Sequence, residues 1–274
     1  MSTIRLPGGE TIWYTIEGSG PPLLQIHGSA FGHKNFEKLS PLMQARFSVI
    51  DFDLPGYGES QPGAIPPTDM AGIAEQVHAL IQALGLGRVH LHGTSFGAMI
   101  GLVLAARHPE VVDHLVLSCF LARYDKAARM MRHTWKRVAR DSGMEAVADI
   151  TSVAGFARGF YDRPDADAQL VSMRIAFARN TPEAFIAGTE TIERTDLSGF
   201  APQVSAPTLL LAGAEDNMTP YKLAESGVGF HQMRDMIPNN RLEVLPDCGH
   251  YLVIEQPGLA ADAIVDFIRP GREA

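Results

Sequence analysis

Val89-His90-Leu91-His92-Gly93-Thr94-Ser95-Phe96-Gly97-Ala98-Met99-Ile100-Gly101 is the stretch on which the fold turns. Short apolar residues alternate up to Leu91, Gly-x-Ser-x-Gly follows, and an Ala/Leu-rich run continues to Ala106. This order predicts a strand, a sharp turn and a helix. So tight a turn forces one residue into a strained conformation and leaves room only for small neighbours. Gly93 and Gly97 supply that room, and Ser95 stands at the apex with its hydroxyl above the sheet edge. The helix beginning at Phe96 aims its first N–H groups and positive dipole end at that hydroxyl. A serine so placed is a candidate nucleophile, with the Phe96 N–H ready for an oxyanion.

The same rhythm extends in both directions. Residues 4–17 read as an opening β-hairpin around Pro7-Gly8-Gly9, and Leu23-Leu24-Gln25-Ile26 reads as a buried strand ending in His27-Gly28-Ser29-Ala30. A helix is expected over residues 35–45 and a strand over 47–52. Pro and Gly then run on to Pro67, and Asp69 can cap a helix over 70–84 that Gly85 and Gly87 stop. Strand signals return at 115–119, 207–213 and 241–245, and a helix over 257–268 closes the chain. Strands alternating with helices of this length predict an α/β fold, a mostly parallel sheet covered on both faces. Between residues 122 and 200 the strand signals fade and charged, Met-rich helical segments replace them. This region is expected to be a helical lid inserted after the sixth strand, over the carboxyl ends of the strands. Residues 1–121 and 201–274 form the core on this reading.

Composition narrows the function classes. The chain has 274 residues, 46% hydrophobic and 20% charged, with a formal net charge of -8. That supports one large globular domain and argues against a nucleic-acid partner, since no basic stripe with interleaved aromatics is present. Only Cys119 and Cys248 are available, too few for a disulfide framework. The first residues carry no apolar signal core, and no run of apolar residues is long enough to span a membrane. A cytoplasmic protein without a membrane partner is expected; oligomeric state leaves no trace in the sequence.

A nucleophilic serine needs a base, and the base needs an orienting acid. His250, in Pro246-Asp247-Cys248-Gly249-His250-Tyr251, lies between the last strand and the last helix, where a loop can reach over the sheet edge to Ser95. His90 and His92 sit inside the strand before the turn and are expected to hydrogen-bond in the core; His108 and His114 flank a helix end and a turn. For the acid, Asp216 follows the strand 207–213, with Glu215 facing elsewhere and Asp125 as the alternative. A plain helix N-cap is the competing role for an Asp at such a position. A second oxyanion N–H is expected from Ser29, or from Ala30, in the turn after the strand 23–26.

Taken together, His27-Gly28, the turn Asp53-Leu54-Pro55-Gly56-Tyr57-Gly58-Glu59-Ser60, the Gly93–Gly97 motif, Asp216 and Gly249-His250 resemble the α/β-hydrolase superfamily. The resemblance covers the chain outside the insertion. It implies an eight-stranded sheet, a Ser95–His250–Asp216 triad, a lid, and neither cofactor nor metal. Serine at 95 sets the chain apart from the dehalogenase and epoxide hydrolase branches, which use Asp. Within the family it is most similar to small esterases, enol-lactone hydrolases and meta-cleavage C–C hydrolases. The last often carry Trp soon after the catalytic His, where Tyr251 stands here; hydroxynitrile lyases often carry Lys there. The expected activity is hydrolysis of a small ester or lactone with an apolar body. C–C cleavage of a ring-fission dienoic acid and a slow-turnover ligand sensor are the alternatives. Phe31, Phe120, Trp135 and Met218 are expected pocket walls by position. Met131, Trp135 and Val138 form an apolar stripe, with Arg132, Lys136 and Arg140 on other faces in water. The functional alternative is a cation among Arg129, Arg132 or Arg137 holding a substrate carboxylate.

Overall fold

The computed structural model describes residues 1–63 and 69–268, so the end of the Pro/Gly run at Pro67 lies outside the described residues. The chain forms the expected α/β-hydrolase architecture. Eight strands make one sheet: β1 (Ser2–Arg5), β2 (Thr11–Gly18), β3 (Pro22–Ile26), β4 (Ser48–Phe52), β5 (Val89–Thr94), β6 (Val112–Ser118), β7 (Thr208–Gly213) and β8 (Asn240–Leu245), in the spatial order β1-β2-β4-β3-β5-β6-β7-β8. β2 runs antiparallel to β1 and β4, and every other pairing is parallel.

The helices are α1 (Ser40–Met43), α2 (Met70–Ala83), α3 (Phe96–Arg107), α4 (Lys126–Gly155), α5 (Ala166–Ala178), α6 (Pro182–Arg194), α7 (Phe230–Met233), α8 (Leu252–Glu255) and α9 (Pro257–Ile268). Asp69 caps α2 by accepting the Gly72 N–H at 2.8 Å, as its position in the sequence suggests. The single helix expected over 35–45 is instead a 3₁₀ turn (Gly32–Phe36) followed by the short α1. Pro41 explains the break: it has no N–H to give to the carbonyl of Glu37, and its ring clashes there.

Strand periodicity sorts the core onto two faces. Leu24, Leu91, Leu115, Leu117 and Leu210 pack with α2 and α3, while Leu23, Val116, Leu209 and Leu211 pack with α1 and α9. α3 is buried at every position from Phe96 to Ala105, which is why its sequence is apolar all round. A third apolar cluster lies among α4, α5 and the residues after them. It joins Trp135, Met144, Phe156, Phe160, Met173 and Phe177 to Met218 and Tyr251, from loops at the carboxyl edge of the sheet. α4 is broken at Gly143 (φ 82°, ψ -178°) and so follows this cluster as two arms.

His90 and His92 belong to the α1/α9 face of β5. The His92 ring is fully buried, with Nδ1 3.3 Å from Gln25 Oε1 and Nε2 3.0 Å from Ser118 Oγ. Gln25 spends its amide hydrogens on Ser40 and Asp51, so its oxygen accepts from Nδ1–H and the neutral ring accepts from Ser118. Burial pushes the His92 pKa from 6.5 down to about 3. A depressed pKa means that the unfolded chain takes up protons more readily than the native one. His92 therefore stabilises the fold fully above pH 6.5, and this contribution is lost as the pH falls toward about 3. The His92 ring resonances in long-range ¹H–¹⁵N spectra are expected to stay unshifted from neutral pH to about 4. A titration midpoint near 6.5 would contradict the buried neutral ring.

Candidate active site

The turn after β5 has the geometry its glycines suggest. Ser95 has φ 54° and ψ -114°, a strained conformation for a residue with a side chain. A Cβ on Gly93 would run into the carbonyl oxygen of Gly97, and a Cβ on Gly97 would run into that of Ile26 and lie 2.7 Å from that of His27. Gly97→Ala must therefore push α3 off β3. The expected loss is about 3 kcal/mol of stability, read as a lower denaturation midpoint. An unchanged midpoint would show that this contact relaxes freely.

His250 Nε2 lies 3.0 Å from Ser95 Oγ, and His250 Nδ1 lies 2.9 Å from Asp216 Oδ2. Asp216 accepts the N–H groups of Met218 and Thr219 on Oδ1, each at 2.8 Å, and the Thr219 hydroxyl on Oδ2 at 2.6 Å. The Thr219 hydroxyl hydrogen is thus committed to Asp216, so Thr219 Oγ1, 2.9 Å from Nδ1, can only accept. Nδ1 therefore carries a hydrogen, and the Nε2 lone pair faces the serine. Burial alone would raise the Asp216 carboxyl. The facing His250 ring and the Thr219 hydroxyl and N–H outweigh it and hold the pKa below the usual range. Asp125 is elsewhere, capping α4 through the Ala128 N–H at 2.8 Å, and Glu215 accepts the Arg158 N–H.

The His250 loop is tied to the end of α4. The His250 N–H donates to the carbonyl of Gly155 at 2.5 Å. Glu255 accepts the N–H of Gly249 on one oxygen and that of Ala157 on the other, both at 2.9 Å. Burial raises the Glu255 pKa to about 7.

On the other side of Ser95, the loop Gly28-Ser29-Ala30 is anchored by His27. Its Nε2 accepts the Leu54 N–H at 2.9 Å, and Nδ1 lies 2.7 Å from the Gly28 carbonyl oxygen, so Nδ1–H donates. Asn35 Oδ1 takes the Gly28 N–H at 2.8 Å, leaving the N–H groups of Ser29 and Ala30 as those the loop can offer a ligand.

These groups open into a cavity with Ser95, His250, Ser29 and Ala30 on its wall. Phe31, Trp135 and Met218 line it, as do Phe177, Phe185 and Tyr251. Phe120, expected among the walls, is not there. It is buried against Phe230, ring centroids 5.4 Å apart, because the left-handed Cys119 (φ 49°) turns the chain as it leaves β6. Arg132, expected on a solvent face, is buried in the cavity wall three residues before Trp135 on the same helical face, whereas Arg129 and Arg137 are exposed. Thr219, Asn35 and Glu255 also support the site and are not among the residues the sequence singles out. Only Glu255 left a local signal, a lone carboxylate in the apolar run Leu252-Val253-Ile254.

Three groups of side chains among the described residues lie close enough to share a metal ion: Glu75/His78/His108, His90/Asp113/His114 and Cys119/Asp216/His250. The second sits at the amino ends of β5 and β6, opposite Ser95. In the third, Asp216 and His250 already hold each other, and burial keeps Cys119 a thiol.

Residues 21–257 match the family model described as the alpha/beta hydrolase fold. The chain belongs to the α/β-hydrolase family. This α/β-hydrolase is 30% identical over 241 residues to the pimeloyl-acyl-carrier-protein methyl ester esterase of Nitrosomonas europaea, covering 85% of the chain and 90% of the relative. It is 26% identical over 271 residues to 2-hydroxy-6-oxo-6-(2'-aminophenyl)hexa-2,4-dienoic acid hydrolase of Metapseudomonas resinovorans, covering 95% and 88%. The enol-lactonase of Burkholderia xenovorans superposes with a TM-score of 0.84 at 23% identity, over 97% of this chain and 99% of that one. At that identity the likeness is one of fold. No helix among the described residues is long and apolar enough to cross a membrane.

Proposed function

We propose that this α/β-hydrolase cleaves a small carboxylic ester or lactone through an acyl-enzyme on Ser95. The observation that carries the reading is the unbroken hydrogen-bonded line Ser95–His250–Asp216 at the wall of an apolar cavity. Ser95 Oγ attacks the substrate carbonyl while His250 Nε2 takes its proton. Asp216 holds the ring in the tautomer this requires and stabilises the imidazolium. The N–H groups of Phe96 and Ser29 hold the oxyanion. His250 then returns the proton to the leaving oxygen, and water activated by the same nitrogen releases the acid. The segment from 122 to 200 acts as the lid: it supplies Trp135, Phe177 and Phe185 to the cavity and so sets which acyl groups fit. A cytoplasmic setting and a small-molecule substrate with an apolar body complete the reading.

The test is a pre-steady-state assay with p-nitrophenyl acetate and butyrate. A burst of p-nitrophenol equal to the enzyme concentration, absent in Ser95→Ala, is the expected result. Neither burst nor turnover would count against ester hydrolysis. The similarity to the dienoic acid hydrolase favours one second reading, C–C bond cleavage by the same residues. A ring-fission dienoate consumed when both esters are left intact would select it.

A further inference from the structure

Arg132 is 6% exposed and lines the same cavity as Ser95 and His250. Its only hydrogen-bond partner among the described residues is the Tyr124 hydroxyl, at 2.8 Å, and no carboxylate pairs with it. The guanidinium carbon lies 4.9 Å from the Trp135 ring centroid and 5.2 Å from that of Tyr124. Two aromatic rings thus flank the guanidinium, while its remaining donors have no acceptor among the described residues. Guanidinium does not lose its proton to escape burial, as a lysine or histidine can. A cation so largely buried without a counter-ion is costly to keep, and the donors that Tyr124 leaves free stand at the cavity wall, where an anion arriving with a ligand would meet them.

The surroundings specify that anion. A second cavity adjoins the first and shares Ser29, Ala30, Phe185 and Arg132 with it, so Arg132 stands at their junction. Among the described residues, no other Lys or Arg lines either cavity. One planar cation suits a monoanion, and its fork of N–H groups matches a carboxylate better than a dianionic phosphate.

We propose that Arg132 is a specificity-determining residue that binds a carboxylate of the substrate. The substrate class is then a carboxylate-bearing ester or lactone, such as the monoester of an aliphatic dicarboxylic acid. The scissile carbonyl lies at Ser95 and the free carboxylate at Arg132. The proposal rests on the ester or lactone reading of the site.

The experiment compares mono-methyl adipate with methyl hexanoate, which match in chain length and differ in the terminal carboxylate. Wild type is expected to favour the acid in kcat/KM by about 10- to 100-fold, the discrimination a charged hydrogen bond supplies. Arg132→Met should bring the ratio to about one, and Arg132→Lys should retain part of it. A wild-type ratio near one, or a ratio unchanged in Arg132→Met, would overturn the assignment. Calorimetric binding of mono-methyl adipate to Ser95→Ala, with and without Arg132→Met, separates this inference from the reading beneath it. Binding that depends on Arg132 in a protein that hydrolyses no ester upholds the carboxylate site and rejects the esterase. Hydrolysis of both esters with binding indifferent to Arg132 does the reverse.

Discussion

Ser95→Ala is expected to lower kcat on any ester the protein hydrolyses by on the order of 10⁶. The magnitude follows from the arrangement rather than from the hydroxyl alone. Once Oγ is gone, His250 Nε2 has no proton to take and the Phe96 N–H no adjacent nucleophile to serve, so covalent catalysis stops as a unit. The residual rate is water attack assisted by the oxyanion donors, roughly 10³–10⁴ over the uncatalysed reaction in triads of this kind. Substrate binding should persist, because the cavity walls and Arg132 are untouched. Steady-state kinetics of the purified variant beside wild type read both quantities. A loss of less than about tenfold would remove Ser95 from the chemistry.

Asp216→Asn should be the second largest effect, on the order of 10⁴ in kcat. Asp216 receives N–H and O–H donors on both oxygens: Met218 and Thr219 on Oδ1, Thr219 Oγ1 and His250 on Oδ2. An Asn can keep only one of those oxygens. With its oxygen toward the two backbone N–H groups, its NH₂ faces His250 Nδ1. The ring must then accept there and carry its hydrogen on Nε2, which cannot take the serine proton. With the amide reversed, NH₂ meets two N–H donors and the loop loses its anchor. Either way the correct tautomer is lost, and the rate should recover partly with rising hydroxide, which replaces the missing base. Equal activity in wild type and variant would leave Asp216 a turn-capping residue only.

The sequence carried the parts of this molecule that depend on near neighbours. The β5–α3 unit was legible because both elements are buried and because the close approaches at Gly93 and Gly97 permit no side chain. Ser95, Asp216 and His250 each follow a strand of recognisable pattern, and the sheet order brings those three strand ends to one edge. What escaped depends on where the chain turns between elements. Phe120 looked like a wall because it follows a strand, but the left-handed residue before it sends it into the core. Arg132 reads as solvated from its charge, but its i+3 spacing from Trp135 puts it on the buried face. Thr219 and Asn35 act through contacts that no spacing announces. The apolar content of residues 35–45 favours one helix, and Pro41 overrides it.

The double grip of Glu255 on Gly249 and Ala157, with the Gly155 carbonyl holding the His250 N–H, has a practical meaning for anyone recombining such proteins. A graft that exchanges the helical segment 122–200 cannot treat it as a detachable piece. Its seam at 155–157 is fastened to the loop that carries His250 through the Ala157 N–H and the Gly155 carbonyl, so a foreign segment whose backbone does not present the same two groups would shift His250 relative to Ser95. On the function proposed above, substrate scope and proton transfer would be inherited together at that seam.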